Sequence, residues 1–257
     1  MVLNCCSLRN KVHKFSSLIE VHEPDVVFGT ETWLDSSCLD SKLFPEGFSV
    51  FRRDRNLNGG GIFIAVKKAL NCDLIFSDPQ SEFLICSLRL SNSRPIMLVC
   101  VYRPPNGDSK LFKSIDSKLK ELKLLQNSEH PIIMAGDFNL PSVNWDAKLV
   151  ESNPIYGSTV NRAALQLSLK YGLAQVVNKP TRVVSNNILD LIFVRPDSSF
   201  ANLVVEQGIS DHEIVVGQFK LACLNTENNN KDKFFRNYKK APVHTIAEFL
   251  ELEFPKF

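Results

Sequence analysis

The chain has 257 residues, 44% of them hydrophobic and 23% charged, with a formal net charge of +2. That length buries a core without disulfide staples, and that composition excludes a disordered or fibrous chain. The charge is too mild to mark a nucleic-acid binder, so any such role has to rest on a local site. Met1-Val2-Leu3 reads as a short strand, clipped at its start, leading into Asn4. Residues 11–22 read as an amphipathic helix, with Val12, Phe15, Ile19 and His22 at helical spacing. Pro24 ends it, and Val26-Val27-Phe28 is a buried strand with Glu31 at its C-terminal end. Residues 48–51 and 62–66 read as a hairpin across a polar connection that holds Arg52-Arg53-Asp54-Arg55 and Asn58-Gly59-Gly60-Gly61. Residues 83–90 and 96–102 form a second pair, and Pro104-Pro105-Asn106-Gly107 breaks the chain.

Residues 109–126 are predicted to form a helix that buries Leu111, Phe112, Ile115, Leu119, Leu122 and Leu125. Ile132-Ile133-Met134-Ala135 is a buried strand whose mouth carries Gly136-Asp137-Phe138-Asn139. A long polar loop with Trp145 follows, then a helix over 161–171 with Gly172 as its cap, then strands over 188–194, 203–205 and 214–221. Strands outnumber helices and tight turns join many of them. An α/β sandwich with mostly antiparallel sheets is expected over residues 1–224, not a regular βαβ winding. Residues 225–233 read as a polar linker. Val243, Ile246, Ala247, Leu250 and Phe254 then share a helical face with nothing in this chain to bury against, as in a connector toward a missing neighbour.

No apolar run reaches the roughly 20 residues that cross a bilayer, and the N-terminus has no signal-peptide core. Seven cysteines without a CxxC pair argue against a structural zinc site and for a reducing compartment. Gly59-Gly60-Gly61 is a hairpin turn and not a phosphate loop of the GxGxxG or GxxxxGK[ST] type.

The chemistry gathers at strand ends. Asp137 and Asn139 stand two apart, so on an extended segment they project to one side; one could take a proton from water while the other orients it. A turn built by Asp and Asn is an equal reading. Asp190 is a charge inside the apolar strand Leu189–Phe193, which calls for a partner such as His212 or for an edge position. Ser210-Asp211-His212 is either a metal-proximal acid beside an imidazole or a backbone-bonding turn. Glu31 is a metal ligand or a solvated acid, Tyr102 a phosphate donor or a packing residue, and Asn4 a metal contact or a strand end. Phosphodiester hydrolysis needs a hard cation on oxygen ligands, a water to deprotonate and donors for the developing charge. These strand ends offer all three residue types.

In this order the motifs resemble the endonuclease/exonuclease/phosphatase superfamily over residues 2–221. They are Asn4-Cys5-Cys6-Ser7-Leu8-Arg9-Asn10-Lys11, Pro24 to Leu34 around Glu31, Gly59-Gly60-Gly61-Ile62, Val101-Tyr102-Arg103-Pro104-Pro105, Gly136-Asp137-Phe138-Asn139, Lys179-Pro180-Thr181-Arg182, Leu189-Asp190-Leu191-Ile192-Phe193 and Ser210-Asp211-His212. The nearest likeness is to endonuclease domains of LINE-type retrotransposons, which lack long terminal repeats, with exonuclease III-like abasic-site endonucleases as relatives. The resemblance implies a four-layer sandwich, two facing sheets with helices outside. It implies Mg²⁺ as cofactor, with Mn²⁺ as a substitute, held at Asn4 and Glu31 with Asp211 near it. By it, Asp137 activates the water, Asn139 orients it, His212 supported by Asp190 contacts the scissile phosphate, and Tyr102 hydrogen-bonds the same phosphate. Either Asp137 or His212 could be the base.

The implied substrate is double-stranded DNA, nicked to leave a 3′-hydroxyl that a covalently linked reverse transcriptase extends, and hence a nuclear location. Arg52, Arg53, Arg55, Arg103, Thr181, Arg182 and Ser210 are the expected DNA contacts. A repair-type abasic-site endonuclease and an inactive DNA-binding remnant are the alternatives. Cys6 stands where relatives often carry Arg or Gln, and a clipped first strand would leave Asn4 poorly anchored.

Overall fold

Continuous apolar runs make the central strands of two six-stranded sheets, and these strands are buried on both faces. In the computed structural model, residues 1–91, 93–125, 130–150 and 158–220 are described. In chain order the elements are β1 (Val2–Asn4), α1 (Val12–His22), β2 (Val26–Thr30), α2 (Asp40–Leu43), β3 (Phe48–Arg53), β4 (Ile62–Lys67), β5 (Asn71–Ser77), β6 (Phe83–Arg89) and β7 (Ile96–Tyr102). Then come α3 (Lys110–Glu121), β8 (Ile132–Asp137), β9 (Val143–Asn144), β10 (Leu149–Val150), α4 (Ser158–Tyr171), β11 (Ala174–Gln175), β12 (Asp190–Arg195), β13 (Phe200–Glu206) and β14 (Ile214–Phe219). These residues all belong to the unit Met1–Cys223. The second unit, Leu224–Phe257, lies outside the described residues, and with it the expected linker and the apolar helical face.

The first sheet runs β13-β14-β1-β2-β4-β3 and the second β11-β12-β8-β7-β6-β5. Each is antiparallel except for one central parallel pair, β1 with β2 and β7 with β8. Three apolar clusters mark three interfaces between layers. Phe15 and Ile19 of α1 pack on Leu3, Val27 and Phe63 of the first sheet. Val2, Phe28, Ile64, Leu84, Leu98 and Ile192 fill the space between the sheets. Phe112, Ile115 and Leu119 of α3, with Leu167 and Tyr171 of α4, cover the far face of the second sheet. This is the expected four-layer α/β sandwich.

Two expectations need correction. β5 was not anticipated, because this edge strand is mostly exposed and lacks an apolar alternation. The strand that carries Asn4 is well anchored: β1 sits between β14 and β2, and all three of its residues are buried. The Met1 nitrogen donates to the Val26 carbonyl at 2.9 Å.

Candidate active site

Pairing register puts the functional residues on one edge. In the first sheet Asn4 lies opposite Thr30, and Thr30 opposite Ile62. Glu31 and Gly61 are therefore the next residues beyond that row. In the second sheet Tyr102 lies opposite Asp137, and Asp137 opposite Asp190. Gly136 permits this spacing: its φ is +140°, and a Cβ there would collide with the Val101 carbonyl of the neighbouring strand.

Side chains join the two rows across the sandwich. Asn4 Nδ2 donates to Asp137 Oδ2 at 3.0 Å, and the Tyr102 hydroxyl donates to Glu31 Oε1. The loop into β14 brings the third side: His212 Nδ1 lies 2.7 Å from Asp190 Oδ2. Asp190 is fully buried and belongs to an interior strand, so the edge-strand reading falls and His212 is the partner that the buried charge required. Thr181 fixes this pair. Its hydroxyl accepts from the amides of Leu189 and Asp190, while its carbonyl accepts from the Glu213 amide. The Ser210 hydroxyl donates to the Asn4 carbonyl and accepts from the His212 amide, tying the loop to β1.

Charge here is out of balance. Burial first, then the neighbouring Asp190, pushes the Asp137 carboxyl up to about 8, against smaller pulls from His212, the Asn139 amide and Asn4. For His212 burial acts downward, but the hydrogen bond and charge of Asp190, with Asp137 and Asp211, carry it up to about 9. The ring is therefore an imidazolium at neutral pH. Burial and the Glu31 carboxylate both raise the Tyr102 hydroxyl, so it stays protonated as a donor. Asp190 Oδ1 is buried with no hydrogen-bond partner among the described residues. Two buried carboxyls side by side, one with an oxygen that no donor meets, are the oxygen chemistry that a hard divalent cation takes.

Oxygens of Asp137 and Asp190 and a ring nitrogen of His212 lie within 4.8 Å of one another. The charged imidazole, already committed to Asp190, is a poor ligand, so Glu31, Asn4 and Asp137 make the better oxygen set. Glu31 is held by backbone and ring donors: Oε2 accepts from Trp33 Nε1 at 2.6 Å and from the Gly60 amide at 2.9 Å.

Several expected residues take other positions. Asn139 leaves the extended conformation, with φ +50°, so it does not share a side with Asp137. Its amide nitrogen donates to the Arg103 carbonyl, and its backbone N–H donates to Asp137 Oδ1. Asp211, expected at the metal, is half-exposed and paired with Arg182 at 2.9 Å; that pair and His212 hold its pKa below the usual range despite partial burial.

Arg103 and Thr181 are buried and cannot be DNA contacts as they stand: the Arg103 guanidinium caps the carbonyls of Phe138, Asn139 and Pro105. Ser210 is likewise spent on Asn4 and His212. Arg52 braces the 35–43 segment through Asp40 and the Asp35 and Cys38 carbonyls and also pairs with Asp54, and Arg53 donates to the Asp78 and Pro79 carbonyls. Arg55 and Arg182 keep more than a third of their side chains exposed. Sequence reading missed Trp33 and Glu82. The one visible signal for Glu82 was an acid directly before the apolar strand β6.

Solved structures share this four-layer sandwich. The endonuclease domain of TRAS1, a telomere-specific non-LTR retrotransposon, is 18% identical, covers 86% of this chain and 96% of its own, and has a TM-score of 0.64. An AP endonuclease from Archaeoglobus fulgidus is 16% identical, with 86% and 98% covered and a TM-score of 0.58. A 3′-5′ exonuclease from Neisseria meningitidis is 21% identical, with 86% and 98% covered and a TM-score of 0.55. No curated protein matches the sequence. Residues 96–216 match the family model described as endonuclease-reverse transcriptase. Over those residues the chain is similar to that family, and its fold is the one these solved structures share. Among the described residues no helix is long and apolar enough to cross a membrane.

Proposed function

We propose that this chain is a Mg²⁺-dependent DNA endonuclease that cuts one strand and leaves a 3′-hydroxyl for a linked reverse transcriptase. The observation that carries the reading is the register that sets Asp137 beside Asp190 and His212, with Asn4 reaching Asp137 from the other sheet. Glu31, Asn4 and Asp137 would hold the cation, which offsets charge on the phosphoryl oxygens and favours ionised Asp137. Mn²⁺ suits the same oxygens. Asp137, ionised, takes the proton of the attacking water. Burial and Asp190 raise its pKa, and the cation would bring it back toward the operating pH, where a general base works best. Asp190 raises the pKa of His212 and fixes its ring, which favours His212 as the cationic donor to the phosphate and leaves Asp137 as the base. The Tyr102 hydroxyl donates to the same developing charge. Asn139 acts through Asp137, holding one of its oxygens.

The TRAS1 neighbour and the family description favour a retroelement nuclease, working on nuclear DNA as one domain of a longer polypeptide. Arg55 and Arg182, exposed on either side of the edge, are the basic contacts proposed for DNA phosphates. The test is nicking of supercoiled plasmid with Mg²⁺, with and without chelator, beside Asp137→Ala. Polymerase extension of the nick reads the 3′-hydroxyl. Metal-dependent nicking of intact DNA supports the reading. Cutting confined to an abasic duplex assigns the repair-type activity instead, and a folded protein without metal-dependent cutting ends both.

A further inference from the structure

Glu82 is a buried carboxylate, 7% exposed, that the chemistry above does not use. It lies at the foot of β6, and its carbonyl accepts from the Tyr102 amide at 2.8 Å. Its side chain crosses to the other sheet. Oε1 accepts from the Gly61 amide, and Oε2 lies 3.0 Å from Arg55 Nη1. The preceding amide, Gly60, donates to Glu31 Oε2. Two carboxylates thus grip two consecutive N–H groups of one turn.

That turn has little freedom. Gly60 and Gly61 have φ of +63° and +87°, and a Cβ on Gly60 would collide with both Arg55 and Glu82. Arg55 completes the circuit: Nε donates to the Gly59 carbonyl at 2.9 Å, and its guanidinium sits 5.8 Å from the centre of the Tyr102 ring. Tyr102 in turn donates to Glu31.

A buried carboxylate is costly unless paired, so a residue retained only for stability would be better apolar. What the charge does here is fix geometry. We infer that Glu82 is a positioning residue: through the Gly60–Gly61 turn it sets the angle of Glu31, and through Arg55 it sets the Tyr102 ring. This rests on the reading of Glu31 as a cation-holding residue. Partners one layer behind a ligand commonly change metal affinity ten- to a hundredfold when removed.

The test uses Trp33 as a reporter, because its indole N–H is on Glu31 and Trp145 is the only other tryptophan. In a Trp145→Phe background, Mg²⁺ is titrated without DNA while Trp33 emission is followed, and nicking is measured in parallel. Glu82→Gln keeps an acceptor for Gly61 but loses the charge on Arg55. It should raise the half-saturating Mg²⁺ about tenfold in both readouts, with the rate at saturating Mg²⁺ within a few-fold of the parent. Arg55→Met, which leaves the buried acceptor in place, should move the DNA-free Trp33 midpoint the same way by less. Unchanged midpoints, with or without a lower Tm, make Glu82 a merely structural acid and overturn the proposal. A parent protein that nicks with Mg²⁺ while Trp33 stays silent overturns it too, since Glu31 then does not meet the cation. A parent that does neither overturns the reading of Glu31 on which the proposal stands.

Discussion

The two halves of the candidate site are built on opposite principles. On the Glu31 side indole, glycine amides, tyrosine hydroxyl and arginine all end on Glu31 or Glu82, and only the flanking Thr30 and Thr32 hydroxyls lack a partner among the described residues. On the Asp137 side two buried carboxylates face one imidazole, one oxygen is orphaned, and two pKa values are driven up. A satisfied network is rigid and can hold a ligand in place. A frustrated one leaves buried carboxyls for a proton or a cation to satisfy.

Breaking the frustrated half should have the largest effect. Asp137→Asn should cut plasmid nicking by about 10²–10⁴-fold, the range for loss of a proton-transferring group. Metal-free Tm at pH 8 should rise in the same variant, because the amide removes a buried charge. A variant that loses activity and Tm together would mean that Asp137 is structural. Asp190→Asn should slow nicking by about 10²–10³-fold, as when a transition-state donor is misplaced. Asp190 raises the His212 pKa, so the alkaline limb of the pH–rate profile should move down from about 9. An unmoved limb would separate His212 from that limb.

The third expectation concerns pH alone. Asp137 goes from an ordinary 3.8 to about 8, and His212 from 6.5 to about 9. Both folded values lie above the unfolded ones, so the folded state binds more protons. The stability they contribute is fully present below the unfolded values and is lost as pH rises through the folded ones. Metal-free Tm should therefore fall between about pH 4 and pH 9, and Mg²⁺ should restore more of it at pH 8 than at pH 6. A flat metal-free profile would remove the contrast between the halves.

Glu31→Gln, on the satisfied side, keeps the fold and should act mainly on the Mg²⁺ midpoint. A change in maximal rate at an unmoved midpoint would place Glu31 in proton transfer instead. The smallest effect is expected at Val184, which is 90% exposed: Val184→Ser should change stability by no more than about 0.5 kcal/mol by chemical denaturation.

What the sequence made legible follows from the same contrast. Asp190 was readable because a charge in an apolar strand has few physical excuses, and the need for a partner pointed to His212. The sandwich was readable because buried strands announce themselves by apolar runs. β5 was not, since an edge strand open to water has no apolar pattern to maintain. Arg103 looked like a DNA contact because sequence shows a guanidinium's charge but not the carbonyls it caps. Asn139 was misplaced because one left-handed residue ends the strand's two-residue alternation. Glu82 was invisible because a lone acid before a strand looks the same whether it meets water or two backbone amides.

The Thr181 bridge also separates what can vary from what cannot. The segment beyond it is closed on itself, with backbone bonds between Arg182 and Asn187 and exposed valines at 183 and 184. Spacing between Asp190 and His212 is set upstream of that closure. Residues 183–186 therefore form an exchangeable tip, whose lengthening costs only loop entropy that grows slowly with length. The dyad is insulated from its own neighbouring loop, so the surface beside the edge can be rewritten without retuning the chemistry beneath it.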